Sequence, residues 1–181
     1  MTPRHGGFHI CSVILVFLPG PVTAEDALTT YGDVGKLAIP AAAAALSLFN
    51  DDADGLKQLF VSGVATAGAT YALKYSIRET RPDGGRHSFP SGHTSLAFTG
   101  AAYVHRRYGW QWGIPFELAA AIVAYSRVDA RRHYWYDVVA SAGIAHLSAY
   151  FLADHRDVNV RLFPLGGGHR PGFGIVSSMR F

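Results

Sequence analysis

Apolar residues along this chain are gathered into five segments that short polar stretches separate. Each segment is rich in Ala, Leu, Val and Gly and is long enough for a helix, whereas strand-like alternation is confined to the last residues. The pattern therefore predicts an all-α protein, a bundle of about five apolar helices. The segments are Val34–Phe49, Leu56–Tyr75, Ser95–Val104, Ile114–Tyr125 and Val138–Leu152.

The boundaries between the predicted helices are set by turn-forming residues. The stretch Asn50–Gly55 is predicted to be a turn, in which Asp54 caps the second helix. The stretch Gly109–Pro115 is predicted to separate the third helix from the fourth. The glycine-rich stretch from Leu165 onward is predicted to be a loosely held extension, because one terminal strand cannot close a barrel.

The segments carry almost no charge on any side, which favours a transmembrane bundle. Helices of soluble proteins are normally polar on one face, and the charged fraction here is 16%, against roughly a quarter for soluble domains. The segments are shorter than the ~20 residues that cross a bilayer, so interfacial residues would complete the spans. A soluble α-bundle with an apolar core stays open as the alternative.

The first residues have the pattern of a secretory signal peptide. A weakly basic start precedes the apolar stretch Ile10–Leu18, and the small residues Val22–Ala24 are typical of a cleavage site. The apolar stretch is too short to cross ~30 Å of hydrocarbon, which disfavours a membrane anchor. We therefore predict a signal peptide at 1–24, a helical domain at 25–155 that carries the function, and a glycine-rich tail at 156–181.

The charge of the chain argues against nucleic acid as a partner, and its cysteine content argues against a disulfide. The net charge is only +3 and the basic residues are interleaved with apolar segments, which argues against binding of nucleic acid. Cys11 is the one cysteine and lies within the predicted signal peptide, so no disulfide is expected in the mature chain.

Three short polar stretches carry groups that could hold and attack a tetrahedral oxyanion. Island 1 runs from Lys74 to Arg81-Pro82, island 2 is Pro90–His93, and island 3 is Ser126–Asp137. Together they supply three fixed positive charges, two histidines, a serine, a glycine turn and a carboxylate.

Islands 1 and 2 suggest an anion site at two helix ends. Lys74 and Arg81 are seven residues apart, so they are predicted to share a helix face that ends before Pro82, with Arg78 on the same side. Ser91-Gly92 would open the next helix, where free backbone amides favour an anion and the serine could cap the helix or donate to phosphate. A solvated basic helix end and a plain capped turn are the alternatives.

Island 3 suggests a paired histidine. His133 and Asp137 are four residues apart, so they share a helix face. A carboxylate that binds one imidazole nitrogen fixes the tautomer and leaves the other nitrogen as base or nucleophile. An ordinary helix pair is the alternative, and a metal site that includes His93 is disfavoured because the nearby cations would repel a metal.

Jointly, the three islands resemble the signature of the type 2 phosphatidic acid phosphatase and vanadium haloperoxidase superfamily. That signature is Lys-x6-Arg-Pro, then Pro-Ser-Gly-His, then Ser-Arg-x5-His-x3-Asp, and every fixed position is matched between Lys74 and Asp137. The resemblance implies an α-helical bundle that brings the islands into one pocket.

The resemblance also implies a phosphohistidine mechanism that needs no metal or other cofactor. His133 would attack phosphorus, Asp137 would orient His133, and His93 would protonate the leaving oxygen and then activate water. Residues implied to hold the phosphoryl oxygens are Lys74, Arg81, Ser91, Gly92 and Arg127. Outside the signature, Arg131 and Arg132 are equally consistent with contacts to an anionic headgroup and with solvated loop charges.

With the N-terminus outside, successive helices bring all three islands to the outer face of the membrane. We therefore predict an enzyme of the bacterial inner membrane, its site facing the periplasm, that hydrolyses lipid phosphate monoesters or diphosphates. The alternatives are a soluble periplasmic acid phosphatase, a vanadate-dependent haloperoxidase, and a non-catalytic membrane protein that binds lipid phosphates.

Overall fold

The structure is a computed structural model that describes residues 23–156, 158–165 and 172–179. The predicted signal peptide lies outside the described residues, except for Thr23 and Ala24. In the structure Thr23 caps the first helix, where its side chain accepts a hydrogen bond from the backbone N–H of Asp26, and Ala24 is the first helical residue.

Each predicted apolar segment lies within one helix, and the predicted all-α class is confirmed. The helices are longer than the apolar segments because their polar ends are helical as well. Their bounds are α1 Ala24–Phe49, α2 Ala53–Ser76, α3 Gly92–Tyr108, α4 Trp110–Asp129 and α5 Trp135–Leu152.

Two predicted boundaries are wrong in detail. Asp52, not Asp54, caps α2, since its carboxylate accepts the backbone N–H of Gly55 at 2.9 Å. Gly109 alone separates α3 from α4, because its φ of 83° ends α3. Pro115 lies inside α4, so the helix continues through the proline even though Pro115 has no backbone N–H to donate within it.

The C-terminal tail contains a β-hairpin that the sequence pattern did not predict. Strand β1, Val158–Leu165, pairs antiparallel with β2, Gly172–Met179. The register runs from Val158 opposite Met179 to Leu165 opposite Gly172. The prediction assigned strand character only to the end of the chain and therefore missed β1.

Helix α3 is the centre of the bundle and packs against each of the other four helices. Eleven of its 17 residues are buried, which no amphipathic surface helix would allow. Its alanines pack against Ala120 and Val123 of α4 on one side and against Ala145 and Ala149 of α5 on another. These small side chains let the helices approach closely and hold the first turn of α3 in the middle of one end of the bundle.

A buried ion pair closes the opposite end. Asp52 accepts two hydrogen bonds from Arg107, at 2.8 and 2.7 Å, and one from the Tyr108 hydroxyl at 2.8 Å. Burial opposes the charged carboxylate, but the hydrogen bonds from Arg107, Gly55 and Tyr108 hold the pKa of Asp52 well below its usual range. Such a pair is weak evidence of net stability, because the cost of removing both charges from water offsets their attraction.

The outer faces of the helices expose large apolar side chains. Among the described residues, α1 is the one helix that is long and apolar enough to cross a membrane, judged by length and composition. Exposed apolar surface of this extent marks contact with lipid or with another protein. Examples are Leu37, Phe49, Phe60, Val64, Leu118, Val139, Leu147 and Phe151.

Candidate active site

A cavity of about 340 Å³ opens at the end of the bundle where α1 and α3 begin and α4 ends. All three islands contribute to its wall, and α1 contributes as well. The structure thus brings the islands together, as the family resemblance implies. The lining residues are Glu25, Thr29, Asp33, Arg81, His93, Arg127, Ala130, Arg132 and His133.

His133 and Asp137 form a buried pair at this cavity. His133 ends the loop after α4 and Asp137 lies in the first turn of α5, with 3.2 Å between His133 Nδ1 and Asp137 Oδ2. The same oxygen accepts the Ser88 hydroxyl and, at 2.9 Å, the backbone N–H of Tyr134. Because the carboxylate accepts from Nδ1, the Nε2 atom of neutral His133 carries the lone pair.

The His133 ring is held in its neutral form. Burial lowers the pKa of His133 to about 4, the hydrogen bond with Asp137 acts in the opposite direction, and the Lys74 cation adds to the lowering. At neutral pH the imidazole is therefore unprotonated, and its Nε2 lone pair is available for attack on phosphorus.

Arg127 lies in the last turn of α4 and is almost wholly buried. It donates from Nη1 to Asp33 Oδ1 at 2.9 Å, from Nη2 to the Thr29 carbonyl at 2.8 Å, and from Nε to Ser126 Oγ at 3.0 Å. A guanidinium has five N–H donors. Two therefore stay available to an oxyanion in the cavity.

Arg81 reaches the cavity from a loop, so the predicted helix face shared with Lys74 is wrong. Helix α2 ends at Ser76, because Ile77 takes extended backbone angles, and Arg81 follows five residues later. The loop is closed by a hydrogen bond from the Arg81 backbone N–H to the Gly85 carbonyl at 2.8 Å. Arg78 lies in the same loop and lines a different pocket.

The Arg81 side chain contains a donor that no protein group satisfies. Its Nε atom is buried and makes no hydrogen bond within the part of the chain that the structure describes. Buried donors are normally paired, and a guanidinium matches a phosphate in charge and shape. This arrangement fits an oxyanion and does not fit a metal ion.

Three residues predicted to hold phosphate have other contacts in the structure. Lys74 Nζ donates to the His87 carbonyl at 2.9 Å. Ser91 is fully buried and caps α3 by accepting from the backbone N–H of Thr94 at 3.4 Å. Gly92 lines a neighbouring groove that begins beside His93. None of the three is among the residues that line the cavity.

His93 lies in the first turn of α3 between two oppositely charged partners. Its Nε2 atom is 2.9 Å from Asp33 Oδ1 and 3.0 Å from Lys36 Nζ. A ring nitrogen donates when it is protonated and accepts when it is not. His93 therefore has one partner for each state, since the carboxylate only accepts and the ammonium only donates.

Sequence reasoning missed the contribution of α1 to the site. Thr29, Asp33 and Lys36 follow one another at helical spacing, which places polar side chains on one face of α1. That spacing was the available signal. Gly32 lies on the same face, and a Cβ atom there would be 2.1 Å from Ser126 Oγ and 2.3 Å from Arg127 Nη2. The absence of a side chain lets Arg127 reach α1.

The two arginines before His133 differ in position. Arg132 lines the cavity, and its Nε atom lies 3.5 Å from Oδ2 of Asp83 in the loop after α2. Arg131 is exposed, has a φ of 52°, and is not among the lining residues. Of the two predicted headgroup contacts, Arg132 is the one that lines the cavity.

Comparison with known proteins identifies the family. Residues 74–160 match the PAP2 superfamily. Over 150 residues the chain is 32% identical to lipid A 4′-phosphatase of Helicobacter pylori, an alignment that covers 76% of this chain and 75% of that protein. The chain belongs to the PAP2 superfamily. The family predicted from the three islands is thereby confirmed, and islands 1 to 3 all lie inside the matched region.

Two further PAP2 comparisons extend this result. The chain is 33% identical over 109 residues to lipid A 1-phosphatase of Porphyromonas gingivalis, which covers 56% of this chain and 23% of that protein. The crystal structure of Aquifex aeolicus LpxE superimposes with a TM-score of 0.62 at 21% identity, over 70% of this chain and 83% of that one. The helical bundle described above is therefore a fold shared with a solved protein.

Proposed function

We propose that this PAP2 protein is a phosphatase that hydrolyses lipid phosphate monoesters or diphosphates through a phosphohistidine. The observation that carries the proposal is His133, neutral, buried and 3.2 Å from Asp137, in the wall of a cavity that also contains Arg81 and Arg127. His133, oriented from behind by Asp137, and the two cations Arg81 and Arg127 thus surround one cavity of about 340 Å³.

In the first step, the lone pair of His133 Nε2 forms a bond to phosphorus and the bond to the leaving oxygen breaks. His93 donates its proton to that oxygen, so the leaving group departs as an alcohol from a monoester or as a protonated phosphate from a diphosphate. Charge spreads over the three remaining phosphoryl oxygens, and the guanidinium groups of Arg81 and Arg127 stabilise it. Asp137 stabilises the positive charge that develops on the His133 ring.

In the second step, water attacks phosphorus and the bond to His133 Nε2 breaks. His93, now unprotonated, takes a proton from the attacking water. His133 returns to its neutral form and inorganic phosphate is released. The proton that His93 gave in the first step is thus recovered in the second, and no further reactant is consumed.

The lipid phosphate class is supported by both the relatives and the surface of the molecule. Two relatives are named lipid A phosphatases, one for the 4′ and one for the 1 position. The cavity lies at one end of helices whose outer faces are apolar, which would hold a headgroup at the level of the cavity. We propose a phosphorylated glycolipid such as lipid A as the substrate, with the site on the periplasmic side.

Phosphate release from a panel of lipid phosphates tests this proposal. The full chain in detergent would be given a lipid A-type glycolipid, phosphatidate and an isoprenyl diphosphate, and inorganic phosphate would be measured. We expect release that vanadate blocks and that His133→Ala lowers at least about a thousandfold, by loss of the nucleophile. His155→Ala, at the opposite end, is the matched control, and full activity in His133→Ala would refute the mechanism.

A further inference from the structure

Three helices carry a cluster of two histidines and a glutamate outside the phosphate cavity. Glu117 Oε1 on α4 lies 3.3 Å from His105 Nδ1 on α3 and 2.9 Å from His146 Nε2 on α5. One potential ligand atom from each side chain lies within 4.8 Å of the other two. His105 follows His93 by twelve residues along α3, about 18 Å of helix, so the cluster is remote from the cavity.

The hydrogen bonds of His146 leave one ring nitrogen directed at an acceptor. His146 Nδ1 lies 2.9 Å from the Ala142 carbonyl, which can only accept, so Nδ1 carries a proton. In the neutral ring, the Nε2 lone pair then faces the Glu117 carboxylate oxygen at 2.9 Å. Two acceptors in contact repel each other, and either a proton on Nε2 or a cation bound between the two atoms removes that repulsion.

The geometry matches that of a metal ligand set. Metal-bound histidines usually donate the other ring N–H to a backbone carbonyl or carboxylate, as His146 does to Ala142. Bonds of ~2.0–2.1 Å in a tetrahedral zinc site separate the ligand atoms by about 3.4 Å. His105 Nδ1 is 3.3 Å from Glu117 Oε1, whereas His146 Nε2, at 2.9 Å, would move outward by about half an ångström to bind an ion. The side chains are 45%, 20% and 46% exposed in the order His105, Glu117, His146, so the helices do not enclose the cluster.

The backbone holds the cluster together independently of any ion. A Cβ atom at Gly113 would lie 2.6 Å from His105 Cα, so α4 can pack this closely on α3 only with glycine there. Glu117 lies one turn after Gly113 on the same face of α4. The carboxylate is therefore brought to His105 by helix packing and does not depend on a flexible loop.

We propose that His105, Glu117 and His146 bind a divalent cation of the zinc class. Two imidazoles and one carboxylate are a known zinc ligand set, with a fourth position open to water or another ligand. The ion would join α3, α4 and α5 and offset the charge of Glu117 on the helix surface. This site has no role in the phosphohistidine chemistry.

Zinc uptake by the full chain tests the site. The protein would be purified in detergent with a histidine-free tag, stripped with a chelator, given ZnCl2 and passed through a desalting column before metal analysis. We expect one equivalent of bound zinc and a higher unfolding temperature, because a ligand that binds only the folded state stabilises it. Glu117→Gln and His146→Gln should lose both effects, whereas His155→Gln should keep them.

Two outcomes would overturn the proposal. One is a wild-type chain that takes up no zinc, and the other is a His105→Gln/His146→Gln variant that keeps its full equivalent. Should these variants not fold, carbethoxylation of the wild-type histidines measured by mass spectrometry decides instead. Zinc should protect His105 and His146, and equal modification with and without zinc would contradict the site.

The same measurements separate this site from the phosphatase. His133→Ala should release no phosphate and still bind one equivalent of zinc. Loss of zinc in that variant would assign the metal to the phosphate cavity and overturn the proposal. His146→Gln should release phosphate at the same rate as the wild type. This comparison can be made with any lipid phosphate that the wild type hydrolyses.

Discussion

His133 combines a carboxylate partner with a low pKa, two features that ordinarily oppose each other. The hydrogen bond with Asp137 favours the protonated ring, but burial and the nearby Lys74 cation outweigh it. The resting imidazole is therefore neutral and able to attack. When the ring becomes positive on attack, Asp137 is already in place to stabilise it, so the same partner acts mainly in the transition state.

The pKa of His133 predicts a pH dependence of stability. The unfolded ring takes up a proton near pH 6.5 and the folded ring only near pH 4. Its contribution to the free energy of unfolding is complete above pH 6.5 and falls by about 3 kcal/mol as pH drops to 4. His133→Gln should therefore lose less stability than the wild type between pH 7 and pH 4.5 in thermal unfolding, and parallel losses would contradict the low pKa.

Asp33 is expected to be a positioning residue for the proposed reaction. Its Oδ1 atom accepts from Arg127 Nη1 and lies 2.9 Å from His93 Nε2. Asp33→Asn keeps the shape but removes the charge that stabilises protonated His93. We expect kcat to fall about 10²-fold, with a smaller change in KM. As pH is raised, the rate should begin to decline at a lower pH than in the wild type, because His93 loses its proton more readily without the Asp33 charge.

Glu25 provides the control for Asp33. It also lines the cavity and carries the same charge, so Glu25→Gln measures the effect of removing one acidic charge near the substrate. We expect a change in kcat of less than about threefold, because no hydrogen bond joins Glu25 to His93 or Arg127 in the described structure. Equal losses in the two variants would show that Asp33 acts through charge alone.

At the scale of single elements, local sequence pattern predicts the islands but not what surrounds them. His133 and Asp137 meet because they are one helical turn apart, which the spacing alone indicates. Asp33 and Arg127 are 94 residues apart and meet because α1 packs on α4, which no local pattern contains. The position of Arg81 was predicted wrongly because Pro82 marks only the last place at which the helix could end. Helix α2 ends earlier, at Ser76.

The close approach of α1 to α4 at Gly32 predicts a local clash. In Gly32→Ala the new methyl group would overlap Ser126 Oγ and Arg127 Nη2, so Arg127 must move away from Thr29 and Asp33. We expect a loss of about 1–3 kcal/mol in the free energy of unfolding, as for overpacked cores, and slower phosphate release by the folded fraction.

Gly68→Ala is the matched control for this clash. Gly68 lies inside α2, and no atom is within 4 Å of a Cβ built there. The substitution should leave phosphate release unchanged and stabilise the chain by about 0.5–1 kcal/mol, because alanine favours the helix. Denaturant unfolding of both variants, with phosphate release per folded molecule, makes the comparison. Equal effects on release would contradict the proposed role of the Gly32 contact.

At the scale of the whole molecule, polar groups are concentrated at the two ends of the bundle. The cavity occupies one end and the Asp52–Arg107 pair the other, while the outer faces between them expose large apolar side chains. The sequence predicted the nearly uncharged segments and the grouping of the three islands at one end, but not the ion pair at the other. The central position of α3 could not be predicted, because which helices touch depends on packing of all five segments and on their shared small residues.

The distribution of apolar surface predicts membrane association. We expect the full chain expressed in a Gram-negative host to sediment with membranes, to resist alkaline carbonate, and to need detergent for release, since exposed side chains such as Phe49, Phe60 and Phe151 would contact lipid. Release by osmotic shock without detergent would instead establish the soluble periplasmic alternative. A soluble periplasmic marker and a known inner-membrane protein provide the two reference fractions.

The placement of His93 between Asp33 and Lys36 bears on the turnover cycle. An acid–base group that serves both half-reactions must exchange its proton at one nitrogen while the phosphoryl group stays on the enzyme. In many sites that exchange would break a hydrogen bond and free the ring to rotate. Here the protonated Nε2 of His93 has the Asp33 carboxylate as a partner and the unprotonated Nε2 has the Lys36 ammonium, so the ring has a hydrogen-bond partner that holds its orientation in either protonation state.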